Sequence, residues 1–282
     1  MPQSIRVGDI KVVAVPDCVR DGPWSFAEAF PDVPPEEWPG IAERYPDTVA
    51  GDNWRARDHC FLVRTSDRTI LVDTGIGPPG ARVAEFLHPG GGRLLEELRS
   101  AGVEPGAVDV LVLTHMHFDH IGWNVSGPPD DPAPTFPNAR YLLQRAEWDS
   151  YADDADPMGK PARDRQVRWL REAGVLELLD GEREIADGVR LRLTAGHTAG
   201  SQSVEVRSGR EVLLLSGDVA NHPMQVRHPE HRSFADADPS AATTMRRTVF
   251  GAAERDSVLV GPAHFPEPFG RIVEGRWEPI RD

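Results

Sequence analysis

Short apolar runs recur along the chain, separated by polar stretches rich in Gly, Pro and Asp, with helix-like periods between them. Residues 10–15 alternate weakly and predict a first strand. Residues 59–64 and 69–73 predict a hairpin closed by the polar turn Thr65-Ser66-Asp67-Arg68. A helical pattern over 93–101 stops at Gly102, a residue suited to the left-handed position after a helix. Residues 108–113 are almost wholly apolar, the mark of a strand buried on both faces. Residues 140–143 predict another strand, and 145–154 and 163–173 predict helices, the latter closed by Gly174. Residues 189–194, 203–206 and 212–215 are strand-like. Pro239 sits in the first turn of a helix predicted over 239–250, and 258–260 is the last expected core strand.

Two parts of this pattern echo each other. Ile70-Leu71-Val72-Asp73-Thr74-Gly75 resembles Leu213-Leu214-Leu215-Ser216-Gly217-Asp218, an apolar strand running into a Gly/Asp corner. Leu111-Val112-Leu113-Thr114-His115 resembles Val258-Leu259-Val260-Gly261-Pro262-Ala263-His264, a buried strand that delivers a histidine. The echo suggests two similar αβ halves that share a site at their strand ends, where α/β architectures usually put ligands. Residues 20–58 do not fit the pattern. They are rich in Pro, Trp and acids, and a loop that long is functional or carries irregular structure.

Composition narrows the function. Apolar residues make up 39% of the 282 positions, enough for a proper core. The formal net charge of −14 repels phosphate backbones and sets nucleic acid aside as a partner. The first residues lack a basic region followed by a long apolar run, so no secretory signal is expected. No stretch approaches the roughly 18 apolar residues that span a membrane. Cys18 and Cys60 stand alone, without a C-x-x-C arrangement, and are expected as buried thiols. A cytoplasmic protein acting on a small molecule is the expectation.

The chemistry concentrates in Thr114-His115-Met116-His117-Phe118-Asp119-His120-Ile121-Gly122. Imidazole and carboxylate groups are the ligands that zinc and similar divalent ions take. His115 and His117, two apart at a strand end, can point to one side; Asp119 and His120 can face a second ion as the chain turns into a helix. Further candidates follow later strands singly: His197 in the Gly-flanked loop Thr194-Ala-Gly-His-Thr-Ala-Gly200, Asp218 after Ser216-Gly217, and His264 after Gly261-Pro-Ala.

This set, in this order, resembles the metallo-β-lactamase superfamily over roughly residues 59 to 270. The resemblance implies an α/β fold, a four-layer αββα sandwich, with residues 1–282 as one domain and 20–58 covering the pocket or forming a contact. It implies two divalent ions, zinc foremost. His115, His117 and His197 would bind the first; Asp119, His120 and His264 the second; Asp218 would bridge, and Asp73 would orient a ligand from behind. A metal-bridging hydroxide would attack the substrate, with Asp119 relaying the proton.

Within that superfamily, the segments around Trp123-Asn124, Phe136–Tyr141 and Ala263–Ile272 look like the branch of acyl-homoserine lactonases and methyl-parathion-hydrolase-like enzymes. That branch usually carries a tyrosine three residues after the bridging aspartate; here Asn221 stands there, beside His222. Asn221 is expected either to donate to a developing oxyanion or to turn the loop. Trp123, Phe118, Met224 and Phe265 are candidate pocket walls. Trp24 and Trp54 could cover the pocket, close the core or contact a second copy in a homodimer. His59, His88, His228 and His231 are expected on the surface. The reading is a hydrolase of a small hydrophobic ester or lactone, with a phosphotriesterase or phosphodiesterase, or an iron-dependent oxidoreductase on the same scaffold, as alternatives.

Overall fold

The computed structural model describes residues 3–151 and 159–281. The first sheet takes its strands in chain order: β1 (Ser4–Val7), β2 (Ile10–Ser25), β3 (Asn53–Arg64), β4 (Thr69–Val72), β5 (Val110–Val112), β6 (Arg140–Gln144) and β7 (Leu176–Leu179), with Val49–Ala50 added against β3. The second does the same: β8 (Arg183–Ala186), β9 (Val189–Leu193), β10 (Gln202–Ser208), β11 (Glu211–Gly217), β12 (Leu259–Pro262), β13 (Gly270–Val273) and β14 (Arg276–Pro279).

Side-chain alternation explains the layering. On β2, Val12 and Ala14 face the second sheet, where Val204, Val206, Leu213 and Leu215 meet them. Val13 and Val15 point the other way, toward Leu94, Leu98, Val167 and Leu170 of the outer helices. The second sheet is covered by the helix Pro239–Arg255, whose Phe250 and Ala253 pack on Val260, Ile272 and Trp277. The layers therefore run helix, sheet, sheet, helix. Strands β4–β6, buried on both faces, have no solvent side to mark with polar residues, hence their unbroken apolar runs.

The internal echo is a repeated unit. An antiparallel hairpin (β3–β4, β10–β11) feeds a helical crossover, which returns a parallel strand (β5, β12) beside the second arm. Helix Leu94–Ser100 occupies the first crossover, and Pro239–Arg255 the second. Asp238 caps the latter by accepting from the N–H groups of Ser240 and Ala241.

The largest departure from the pattern is 20–58. Instead of a loop, β2 continues to Ser25, pairing with β3 along its length, and the helices Phe26–Ala29 and Trp38–Arg44 follow. The strand escaped the hydrophobic pattern because its inward positions are polar: Asp17, Arg20 and, on β3, Asp58 are all buried. Helix Arg145–Ser150 matches the start of the expected 145–154 helix, whose last residues lie outside the described ones. The 163–173 helix begins earlier, at Gly159, and passes through a π-helical stretch, Asp164–Arg168. Among the described residues, no helix is long and apolar enough to cross a membrane.

Candidate metal centre

Every expected ligand follows the C-terminal end of a strand. His115, His117, Asp119 and His120 come after β5, His197 after β9, Asp218 after β11 and His264 after β12. Both sheets thus deliver side chains to one edge of the sandwich. His117 is still extended (φ −68°, ψ 150°), and the short helix Phe118–Ile121 starts immediately after it. That switch of backbone sends His115 and His117 to one cluster and Asp119 and His120 to another. The potential ligand atoms of His115, His117, His197 and Asp218 lie within 4.8 Å of one another, as do those of Asp119, His120 and His264.

Asp218 stands between the clusters. Its Oδ2 lies 3.3 Å from His197 Nε2 and 3.1 Å from His264 Nε2, and its Oδ1 is 3.3 Å from His120 Nε2. The loop carrying His197 needs its glycines: at Gly196 (φ 150°) a Cβ would meet the Ala242 nitrogen at 2.7 Å, and at Gly200 it would meet the Glu147 nitrogen at 2.2 Å.

Four of the five histidines have their outer ring nitrogen engaged. His120 Nδ1 pairs with Asp73 Oδ2 at 2.8 Å, His197 Nδ1 with Asp236 Oδ1 at 2.9 Å, and His264 Nδ1 with the Arg57 carbonyl at 2.8 Å. His115 Nδ1 lies 3.1 Å from Thr114 Oγ1. An imidazole that donates outward presents a lone pair inward, which is the form that binds a metal. The inward His115 Nε2, His120 Nε2 and Asp218 Oδ1 are buried without a hydrogen-bond partner. Buried polar atoms are rarely left so, and convergent lone pairs of nitrogen and carboxylate are the donor set of a divalent ion. The residues fit the ions.

Charge points the same way. Burial and the neighbouring histidines hold His115 and His117 well below the usual imidazole range. Burial opposes a charge on His120 and His264 too, but carboxylates overrule it. Asp218 and Asp73 raise His120, and Asp218, Asp58 and Asp119 raise His264 to about 10. The pull those carboxylates exert on a proton is also a pull on a metal cation.

A model of the metallo-beta-lactamase superfamily matches residues 57–264. The chain belongs to that superfamily. Members of it similar to this chain include an N-acyl homoserine lactonase of Bacillus thuringiensis, 24% identical over 225 residues, which cover 73% of this chain and 80% of the relative. A probable metallo-hydrolase of Mycobacterium tuberculosis is 32% identical over 187 residues, 58% of this chain and 57% of the relative. Two solved structures share the fold across 100% of this chain and 98% of their own. They are the hydrolase AbOPH of the beta lactamase superfamily (TM-score 0.82, 23% identity) and AidC, a dizinc quorum-quenching lactonase in complex with a product (TM-score 0.81, 21% identity). The chain is a metal-dependent hydrolase of this superfamily.

Asp73, which the superfamily resemblance places behind the ligands, adopts a left-handed backbone (φ 62°). Such a conformation costs a non-glycine residue on the order of 1 kcal/mol. Three contacts hold it there: Thr114 N and Oγ1 donate to it at 2.7 and 2.8 Å, and His120 Nδ1 does so at 2.8 Å. Other supports escaped the sequence reading. Glu147 accepts from Met116 N and Gly200 N, each at 2.9 Å, and so ties the His115–His117 segment to the His197 loop. Asp236 and Arg246 back His197, while Asp58 and Arg20 back His264 and Asp119. Nothing in the local sequence marks these residues; each is a single charged group in a segment remote from the histidines.

The expected pocket walls divide. Phe118 and Trp24 are half-buried against the same small apolar cluster, and the Trp24 ring lies 4.7 Å from that of Phe234, tilted by 42°, with Phe234 43% exposed. Trp123 is also half-buried, but its indole N–H donates to Asp17 Oδ1 at 3.3 Å. Met224 and Phe265 are corrections: both are fully enclosed, Met224 among Phe26, Phe30 and Trp54, and Phe265 against Trp277. Neither has a face to offer a substrate. Trp54 closes the core, its ring 6.2 Å from that of His264.

Asn221 neither points a free amide outward nor caps the turn alone: its Nδ2 donates to Asp218 Oδ2 at 2.7 Å. His222 is buried among Phe26, Phe30 and Tyr45, with Nε2 2.8 Å from Thr48 Oγ1, away from the ligands. His59 and His231, expected on the surface, are buried. His231 groups with His228 and Glu230, but the two rings stack at 12°, so their in-plane lone pairs run side by side instead of converging on an ion.

Proposed function

We propose that the chain hydrolyses a small hydrophobic ester or lactone at a two-metal centre, with zinc as its ion. The observation that carries this reading is the convergence of two ligand clusters on the single carboxylate of Asp218, with His115 Nε2, His120 Nε2 and Asp218 Oδ1 left without a hydrogen-bond partner. Divalent ions bound there supply a water that ionises near neutral pH and polarise the oxygen of the bond to be cleaved. Asp218 sets the two halves at a fixed separation, and Asn221 steadies its Oδ2. Asp119, with Oδ2 bound to Arg20, holds and returns a proton at Oδ1, between the nucleophile and the leaving oxygen. The partly exposed Trp24, Phe118 and Phe234 favour an apolar substrate arm. The lactonase names of the Bacillus relatives and of AidC support a carbonyl substrate.

The test is elemental analysis of the loaded protein followed by turnover of lactones, aryl esters and phosphotriesters. Two ions per chain and chelator-sensitive lactone or ester hydrolysis are expected. Preference for a phosphotriester would replace the substrate class, and iron content with oxygen uptake would replace the reaction.

A further inference from the structure

Strand β2 changes character halfway along. From Val12 to Val15 its apolar residues are buried on both faces, and Lys11 before them is exposed. A bulge between Pro16 and Cys18 then inserts Asp17 as an extra residue against β3. Bulges re-aim side chains and cluster near active sites. Beyond it the usual preference is inverted: Val19 is 41% exposed and Arg20 only 3%.

Arg20 serves two carboxylates at once. Its Nε donates to Asp58 Oδ2 and its Nη2 to Asp58 Oδ1, both at 2.7 Å, and the same Nη2 donates to Asp119 Oδ2 at 2.7 Å. Asp58 in turn accepts from Cys18 Sγ at 3.0 Å and lies 3.2 Å from His264 Nδ1, beside the Arg57 carbonyl that takes that nitrogen's bond at 2.8 Å. One arginine therefore reaches two of the three ligands in the second cluster, Asp119 directly and His264 through Asp58. An apolar residue of similar size would serve a sheet interior as well or better, because a buried ion pair is seldom a net gain in stability. Its planar fork has a geometric use instead: it fixes two carboxylates relative to each other, which a lysine's single ammonium cannot do. The pair is also neutral overall, so Arg20 lends hydrogen bonds to Asp119 without setting an uncompensated charge against a cation.

We propose that Arg20, clamped by Asp58, is the positioning residue for the second ion, holding Asp119 by one oxygen and His264 by its outer nitrogen so that both are aimed before the ion arrives. This rests on the two-metal reading above and adds to it which residue governs one ion separately from the other.

The experiment is a metal-binding titration of the metal-free full chain with zinc against a competing chelator, and with cobalt read by its visible absorption. Wild type, Arg20→Met, Arg20→Lys and Cys18→Ala are compared, with melting temperature recorded for each. Arg20→Met should bind one ion with wild-type affinity and the other at least about tenfold more weakly, with the cobalt band of the second step altered. Arg20→Lys should fall between, and Cys18→Ala, which touches Asp58 but not Asp119, should match wild type. If Arg20→Met does not accumulate as folded protein, the Arg20→Met/Asp58→Asn double variant, which removes both halves of the Arg20–Asp58 pair, carries the same expectation. Two ions bound by either variant at wild-type affinity overturn the proposal, as does equal weakening of both ions. Fewer than two ions on wild type would defeat the two-metal reading itself, a result distinct from either.

Discussion

His197 and His264 both reach Asp218 Oδ2, and each has an aspartate and an arginine behind it. Asp236 and Arg246 stand behind His197; Asp58 and Arg20 stand behind His264. The two assemblies differ in what the arginine does next. Arg246 gives its other N–H groups to the carbonyls of Val219 (2.9 Å) and Pro229 (3.3 Å), so it ends in backbone. Arg20 goes on to Asp119. The first assembly fastens one ligand to the fold, whereas the second fastens two ligands to each other. They also lie differently in the chain. Asp236 and Arg246 fall inside the 57–264 stretch matched to the superfamily, and Arg20 lies before it. The second cluster thus draws on a strand outside that matched stretch.

The comparison can be broken at several points. Asp218→Ala should have the largest effect, removing both ions and all metal-dependent turnover; retention of one tight ion would show that the two clusters are independent. Arg246→Met leaves Asp236 buried without its partner and should destabilise the protein by about 3–5 kcal/mol, the usual cost of halving a buried pair. Thermal or urea unfolding measures it, and an unchanged midpoint would deny Arg246 its anchoring part. Asp119→Asn should lower kcat by at least about 10²-fold with the first ion still bound. Activity within a few-fold at full metal content would reject its role in proton transfer.

The smallest effect concerns His222, which packs under the N-terminal helices. Burial lowers its pKa from the ordinary 6.5 to about 3. The folded protein keeps this ring neutral while the unfolded chain protonates it. Its share of the stability is therefore present above about pH 6.5 and is lost as the pH falls toward 3, by up to about 1.4 kcal/mol per pH unit. His222→Gln should flatten the fall in melting temperature between pH 6.5 and 4 relative to wild type. Parallel curves would count against the assignment.

The candidate ligands and much of the strand order were legible in the sequence. Strands β4–β6 and β11 were legible because burial on both faces leaves an uninterrupted apolar run, and His115 to His120 because few structural needs would crowd three imidazoles and a carboxylate together. The supports were not legible, because a second contact partner has no fixed spacing from the first: Glu147 and Gly200 meet only once the fold is made. Beyond Val15, β2 was missed for a related reason. Its inward residues answer to the site instead of the core, so the apolar rhythm by which strands are recognised is absent there. Met224 and Phe265 were misassigned because proximity in sequence to Asp218 and His264 does not tell which way a side chain turns.

The length of β2 also bears on how the centre is assembled. One end of the strand is core and the other carries Arg20 and Trp24, and pairing with β3, shifted at the Asp17 bulge, runs through both. A chain in which that pairing has not yet closed has its histidine segment but no bracket across Asp119 and His264. If Arg20 aims both ligands as proposed, tight uptake of a second ion would wait until these two long strands have zipped together.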